Sequence, residues 1–356
     1  MTQAPHPQLG FAFLADLPTL DLDPPKSKQR SAKAGSKNVA AVAPQAAAPM
    51  DADAMARALE AHPDYKVLRR LQPCLQWPGV AKGGVKTILV LDTETTGLDS
   101  AKEKIIELAM LRVEVDMATG LPVGQVLVYD ELEDPGKPIP PEVVAITGIR
   151  DADVAGKKLD EARVAAMMDG VDVVIAHNAA FDRPFVESRL PAFAGLPWAC
   201  SFADLDWKGM GRGSAKLESL AQELGLFYDA HRAEMDCHAL LAVLTAPLPS
   251  THSEAPESLR TGLSALLQAA GKPVFRVSAT NSPFEAKDLL KARNYRWNAD
   301  QRVWATRLSD ETALRAELQW LREQVYGGRH AAVQIETMDS LNKYSSRSGQ
   351  TVHQQL

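Results

Sequence analysis

Cysteine is scarce in this chain. Its 356 residues include three, Cys74, Cys200 and Cys237, and no two form a CxxC pair. That excludes a disulfide framework and a cysteine-based zinc cluster, and it fits a reducing compartment. Long apolar runs are missing as well. Nothing approaches the ~18 residues of a membrane span, so no membrane partner is expected. The first residues show no basic region followed by an apolar core, so no secretory leader is expected and the cytoplasm is the anticipated location. Positive charge is short overall: the formal net charge is −6, which argues against unaided binding of a polyanion.

What is present is an ordinary globular composition, 46% hydrophobic and 24% charged, with room for one to three domains. Residues 1–50 are rich in Ala, Pro, Lys and Ser and read as a disordered tail. Residues 51–86 read as a helical lead-in packed on the main domain. From 87 to 247, three strands come first, followed by alternating helix and strand. That order predicts an α/β domain with a mixed sheet. Residues 248–271 read as a linker region and 272–341 as a small α+β C-terminal domain. The polar stretch 342–356 reads as a second disordered tail.

The most informative stretch is Ile88–Leu98, ILVLDTETTGL. Four apolar residues begin a buried strand, and Asp92 and Glu94 follow one residue apart. Side chains two apart on a strand share a face, so the strand delivers two acids to one spot. Adjacent carboxylates repel; either one keeps a proton or a cation sits between them. Oxygen ligands of this kind suit Mg²⁺ or Mn²⁺. A bare Asp-x-Glu also fits a solvated strand end, so other residues must decide.

Asp182 follows a second apolar strand, Val171–Ala176, in the run HNAAFD. Strands ending at one sheet edge bring their following loops together, which would set Asp182 beside the first two acids. The alternative is a helix cap. His231 and Asp236 lie in AHRAEMDCHAL. Five residues at ~100° each leave them about 140° apart on a straight helix. They converge only if His231 sits in the loop before the helix and Asp236 in its first turns.

Together these segments resemble the DEDDh 3′–5′ exonucleases, which include the proofreading subunit of bacterial replicative polymerases. The resemblance spans about 87–245 and rests on Asp92-x-Glu94, Asp182 in HNxxFD, and His231-x4-Asp236. It implies a ribonuclease-H-like exonuclease fold. It also implies two divalent ions, Mg²⁺ or Mn²⁺, held by Asp92, Glu94, Asp182 and Asp236, with His231 as general base. The implied reaction is hydrolysis of the last phosphodiester at a DNA 3′ end, in replication or repair, releasing a nucleoside 5′-monophosphate. The backbone around Thr95 and Thr96 would meet the terminal 3′-hydroxyl. Leu98, Asn178 and Phe181 would also contact substrate. Trimming of RNA ends uses the same residues and stays open; a non-enzymatic adaptor would be expected to have lost ligands.

Charge is unevenly spread. Thr87–Pro247 holds 27 acidic and 14 basic residues, whereas Lys272–Arg329 holds 11 basic and 7 acidic. The basic segment carries Tyr295, Trp297, Trp304 and Trp320. These aromatics suit either a single-strand stacking surface or the core of a small domain. Near the start, Gln8–Phe13 reads QLGFAF, which resembles the peptides that dock bacterial replication and repair proteins on the sliding clamp.

Overall fold

The structure is a computed structural model, and it describes residues 51–248 and 261–356. The expected tail 1–50, with its clamp-like Gln8–Phe13 patch, and residues 249–260 of the expected linker lie outside the described residues. The chain divides into two units, Met1–Met55 and Ala56–Leu356. The second holds all the strands found among the described residues.

The expected helical lead-in is helical only at its start. Helix α1 (Ala52–Glu60) buries no residue. Pro63 then sits in a turn, and Pro73 and Pro78 keep the chain that follows out of a helix, since proline lacks the amide a helix needs. Two short strands follow, β1 (Arg69–Arg70) and β2 (Gln76–Trp77).

The next three strands form an antiparallel meander: β3 (Val85–Thr95), β4 (Ile105–Asp116) and β5 (Leu121–Leu132). A helical connection comes next, made of α2 (Pro141–Thr147), α3 (Asp151–Val154) and α4 (Glu161–Met168). Gly148 ends α2 with a left-handed φ of 72°, a conformation glycine adopts without steric cost. Strand β6 (Val173–Ala176) then runs parallel to β3. Helix α5 (Ala179–Arg189) leads to edge strand β7 (Trp198–Cys200), parallel to β6. Helix α6 (Leu217–Glu223), strand β8 (Leu226–Phe227, paired with β1) and helices α7 (Ala233–Thr245) and α8 (Gly262–Ala270) complete this part.

The six-stranded sheet has the order β2-β5-β4-β3-β6-β7, so β3 lies inside it. Alternate side chains of β3 serve opposite cores. Ile88 and Val90 pack with α6, α7 and α8, while Leu89 and Leu91 pack with α4, α5 and β7. That is why the run is apolar at every position. Helix α8, which falls in the expected linker, instead supplies Leu263, Leu266, Leu267 and Ala270 to the first core.

The C-terminal part contains β9 (Val274–Ala279), α9 (Lys287–Ala292), β10 (Arg296–Asn298), β11 (Val303–Leu308), α10 (Glu311–Trp320), β12 (Ala332–Met338) and β13 (Gln350–Gln355). They build a five-stranded antiparallel sheet ordered β10-β11-β9-β12-β13. Strand β9 is absent from the sequence-based expectation, although VFRVSA alternates well enough to mark a strand.

The expected disordered tail 342–356 is a correction. Gln350–Gln355 pairs with β12 along six residues. Before it, a strap seats on α5 and β7. The fully buried Arg183 guanidinium donates to the carbonyl oxygens of Ser340 (3.1 Å), Leu341 (2.5 Å) and Lys343 (2.6 Å), and its Nε to Glu187 (2.6 Å). The Tyr344 hydroxyl donates to Asp204 (2.5 Å), and the strap's Ser340 carbonyl accepts from the Trp198 amide. Polar composition misled here because the strap is held largely by hydrogen bonds, with Tyr344 packed into the second core.

Candidate active site

The site is assembled from the ends of β3 and the starts of α5 and α7. Strand β3 pairs with β6 only from Ile88 to Val90. Beyond that point its outer edge is unpaired, and the backbone amide of Thr93 donates to Asp182 Oδ1 (3.1 Å). The Thr93 hydroxyl donates to the same oxygen (2.8 Å). Asp182, in the first turn of α5, is thereby pinned to the strand that carries Asp92 and Glu94. It is not a simple cap for its own helix.

Asp92, Glu94 and Asp236 each present a carboxylate oxygen within 4.8 Å of one another. Among the described residues, this is the cluster able to hold a metal ion. Asp182 stands beside it, close enough to raise the pKa of both strand acids, but outside that spacing. The expected set of four is thus three convergent carboxylates and one neighbour tied to Thr93.

His231 lies in the turn before α7 with φ of 64°, the conformation that lets it meet Asp236 despite their five-residue spacing. Its backbone amide donates to Asp236 Oδ2 (2.9 Å), and its side chain is exposed. The hydroxyl of Tyr228 donates to Asp236 Oδ1 (3.0 Å), so both oxygens of Asp236 are oriented.

Sequence reading missed three supports of this arrangement: Thr93, Tyr228 and Glu107. Glu107 was the most visible, as a lone acid in the apolar strand IIELAML. It is fully buried on β4 and lies opposite Glu94 in register. The Arg232 guanidinium donates to it, with the shortest contact 2.8 Å from Nη2 to Oε1, and the Ala233 amide donates to Oε2 (3.0 Å). An ion pair between half-exposed Arg232 and buried Glu107 thus holds the start of α7, one residue from His231.

The other expected contacts are more varied. Thr95 and Thr96 are buried, and their hydroxyls donate to the Gly97 carbonyl (2.7 Å) and Glu103 (2.6 Å). The Thr96 amide already donates to the Lys104 carbonyl, so it is not free to donate to a 3′-hydroxyl. Leu98 and Asn178 are exposed, and Phe181 is half-buried against Phe185, 5.2 Å between ring centroids. Asn178 takes a left-handed φ of 69° at the entry to α5.

The electrostatics are those of a crowded acid cluster. Burial, then repulsion from Asp182, Asp236 and Glu94, pushes Asp92 well above the usual carboxylate range. Burial, then Asp236 and Glu107, pushes Glu94 up to about 8. Burial raises Asp182 to about 7 against the hydrogen bonds from Thr93. Burial also raises Asp236, opposed by the Tyr228 hydroxyl and by His231. Buried, mutually repelling oxygen ligands are the donor set that a divalent cation stabilises.

These shifts predict a pH dependence of the metal-free protein. A carboxyl group that binds its proton more tightly when folded favours the folded state at low pH, and that advantage is lost as pH rises through the folded value. Burial lowers His177 from 6.5 to about 4, which penalises folding below pH 6.5 and works against the carboxylates there. Between pH 6.5 and 8 the carboxylates act without that opposition. The melting temperature in EDTA should fall across this window, and added Mg²⁺ should flatten the profile. A metal-free melting temperature that rises from pH 6.5 to 8 would contradict the clustered acids.

Residues 89–244 match the exonuclease (RNase_T) family model. This segment is an exonuclease domain. The chain is therefore an enzyme of the 3′–5′ exonuclease class. Its exonuclease domain is similar to DNA polymerase III subunit epsilon of Treponema pallidum, 29% identical over 163 residues, covering 43% of this chain and 73% of that one. It is also 29% identical over 159 residues to the PolC-type DNA polymerase III of Thermotoga maritima, of which the match spans only 11%. Among solved structures, exonuclease X in complex with 5′ overhanging duplex DNA is 29% identical, with a TM-score of 0.35, over 44% of this chain and 88% of that one. The α/β reading with a mixed sheet holds for this domain.

Proposed function

We propose that the chain removes nucleoside 5′-monophosphates from DNA 3′ ends, with Asp92, Glu94, Asp182 and Asp236 holding two divalent ions, Mg²⁺ or Mn²⁺. The convergence of the Asp92, Glu94 and Asp236 carboxylates within 4.8 Å, inside an exonuclease domain, carries this reading. The similarity to DNA polymerase III subunits supports DNA rather than RNA as substrate. Bound metals would supply charge stabilisation for the scissile phosphate and acidify the attacking water.

The protein's own groups do the rest. His231 accepts the proton of the attacking water as its oxygen bonds to phosphorus and the bond to the 3′-oxygen of the preceding nucleotide breaks. Imidazole is the side chain most often used to move a proton in this way. The Asp236 carboxylate holds the His231 turn through its backbone amide. Leu98 and Phe181 would pack near the last bases, with Asn178 and the backbone at Thr95–Thr96 beside the terminal sugar.

Among the described residues, no helix is long and apolar enough to cross a membrane. Three free cysteines and a DNA substrate fit a cytoplasmic setting in replication or repair. Docking on a sliding clamp through Gln8–Phe13 would raise the local concentration of the nuclease at DNA.

The test is His231→Ala. Turnover on a single-stranded DNA substrate should fall by about 10²-fold or more, with metal affinity by calorimetry little changed. Lost metal binding would make His231 a ligand instead. Near-normal turnover would remove it from the mechanism.

A further inference from the structure

Beside one edge of the C-terminal sheet, two ammonium groups lie between aromatic rings. Lys287 Nζ lies 5.3 Å from the centroid of the Phe284 ring. Lys291, one helical turn further along α9, sets its Nζ 6.0 Å from Trp304. Trp304 faces Trp297 across the β10–β11 pair, with ring centroids 5.5 Å apart at 58°. The order along the surface is therefore Phe284, Lys287, Lys291, Trp304, Trp297.

The core of this part does not need the outer rings. Tyr295 is 1% exposed and stacks on Trp320, 6.4 Å between centroids, and Arg293 covers Trp320. Those aromatics fill the domain, as small cores often require. Phe284 is 80% exposed and Trp297 49%, far more than packing explains.

We propose that this stripe binds single-stranded nucleic acid, with bases stacking on Phe284 and Trp297 and phosphates pairing with Lys287 and Lys291. Exposed rings offer faces to unstacked bases, which a duplex does not present. The two lysines lie between the exposed rings, on the path the phosphates of a strand stacked on both would take. In the sequence around the stripe, Arg296 and Arg302 add positive charge, and Glu285, Asp288 and Asp300 add negative charge. The exonuclease domain is strongly acidic outside its metal site, so a separate grip on the strand lets the enzyme hold a polyanion that this domain repels. The inference rests on the reading of the active site as one that acts on nucleic-acid ends, but its test does not use that site.

The experiment is fluorescence anisotropy of the full chain with labelled oligo-dT and oligo-U of about 20 nucleotides, in EDTA so that nothing is cleaved. Phe284→Ala combined with Trp297→Ala should weaken binding at least 10-fold in one or both arms. Lys287→Ala combined with Lys291→Ala should lower the salt slope by about 1–2. Circular dichroism and melting temperature confirm that the variants fold. Unchanged affinity and salt slope in both arms would overturn the proposal, and would leave the surface to a protein partner. Binding lost with the stripe, in a chain that cleaves nothing with Mg²⁺ present, would keep the stripe and reject the active-site reading.

Discussion

Asp92→Ala should abolish exonuclease activity in Mg²⁺ while leaving the metal-free protein folded and more heat-stable than before. The two effects have one cause. Asp92 is the most crowded of the acids, raised by burial and by Asp182, Asp236, Glu94 and Glu107 together. Removing it relieves repulsion in the apo protein, and about 1 kcal/mol relieved raises the melting temperature by ~2–4 °C for a domain of this size. The same removal takes away a proposed metal ligand, and loss of the several kcal/mol that a bound metal supplies should lower turnover by about 10³-fold or more. Asp236→Ala should behave alike in activity but gain less stability, because it also strands the Tyr228 hydroxyl and the His231 amide. A kinetic assay and a melting curve in EDTA check both. Near-normal cleavage by either variant would remove the carboxylates from the metal site.

Arg183→Met should cost about 3–5 kcal/mol of stability, the range for breaking a buried charged network by deleting one partner. The guanidinium satisfies three carbonyl oxygens of the C-terminal strap and Glu187, and it lies over the Trp198 ring at 5.3 Å. Methionine fills part of the volume but takes the donor from the buried Lys343 carbonyl, while the Ser340 carbonyl keeps the Trp198 amide and Leu341 and Glu187 keep Arg347. Urea unfolding measures the loss. Tyr344→Phe, which deletes the hydroxyl bonded to Asp204, should cost less, about 1 kcal/mol. A change below 1 kcal/mol for Arg183→Met would show that the strap is not held through this residue.

The strap also bears on where the chain can be cut. Every expected metal ligand precedes residue 246, so the sequence suggests that a shortened chain would keep its active site. Yet α8 lies beyond that point and buries Leu263 and Leu266 completely against the exonuclease core. A chain ending at 246 would expose that apolar surface, at about 25 cal/mol for each Å² uncovered.

The candidate site positions were legible because their signals are local. A strand's two-residue repeat aligns Asp92 with Glu94, and short motifs follow a buried strand at Asp182 and precede a helix at His231 and Asp236. The sheet itself was legible as apolar runs separated by turns. What holds the site was not legible, because each support joins segments far apart in the chain. Thr93 reads as the opposite face of its strand, and only the early end of β6 frees its amide for Asp182, 89 residues away. Glu107 meets Arg232 across 125 residues, and Arg183 meets the strap at Lys343 across 160. The aromatics of the C-terminal part divide in the same way: composition alone left core and stacking surface open, and packing buried Tyr295 while leaving Trp297 in solvent. Periodicity along a segment sets which side chains share a face. Which partner that face meets is decided by the packing of distant segments, and no short stretch encodes it.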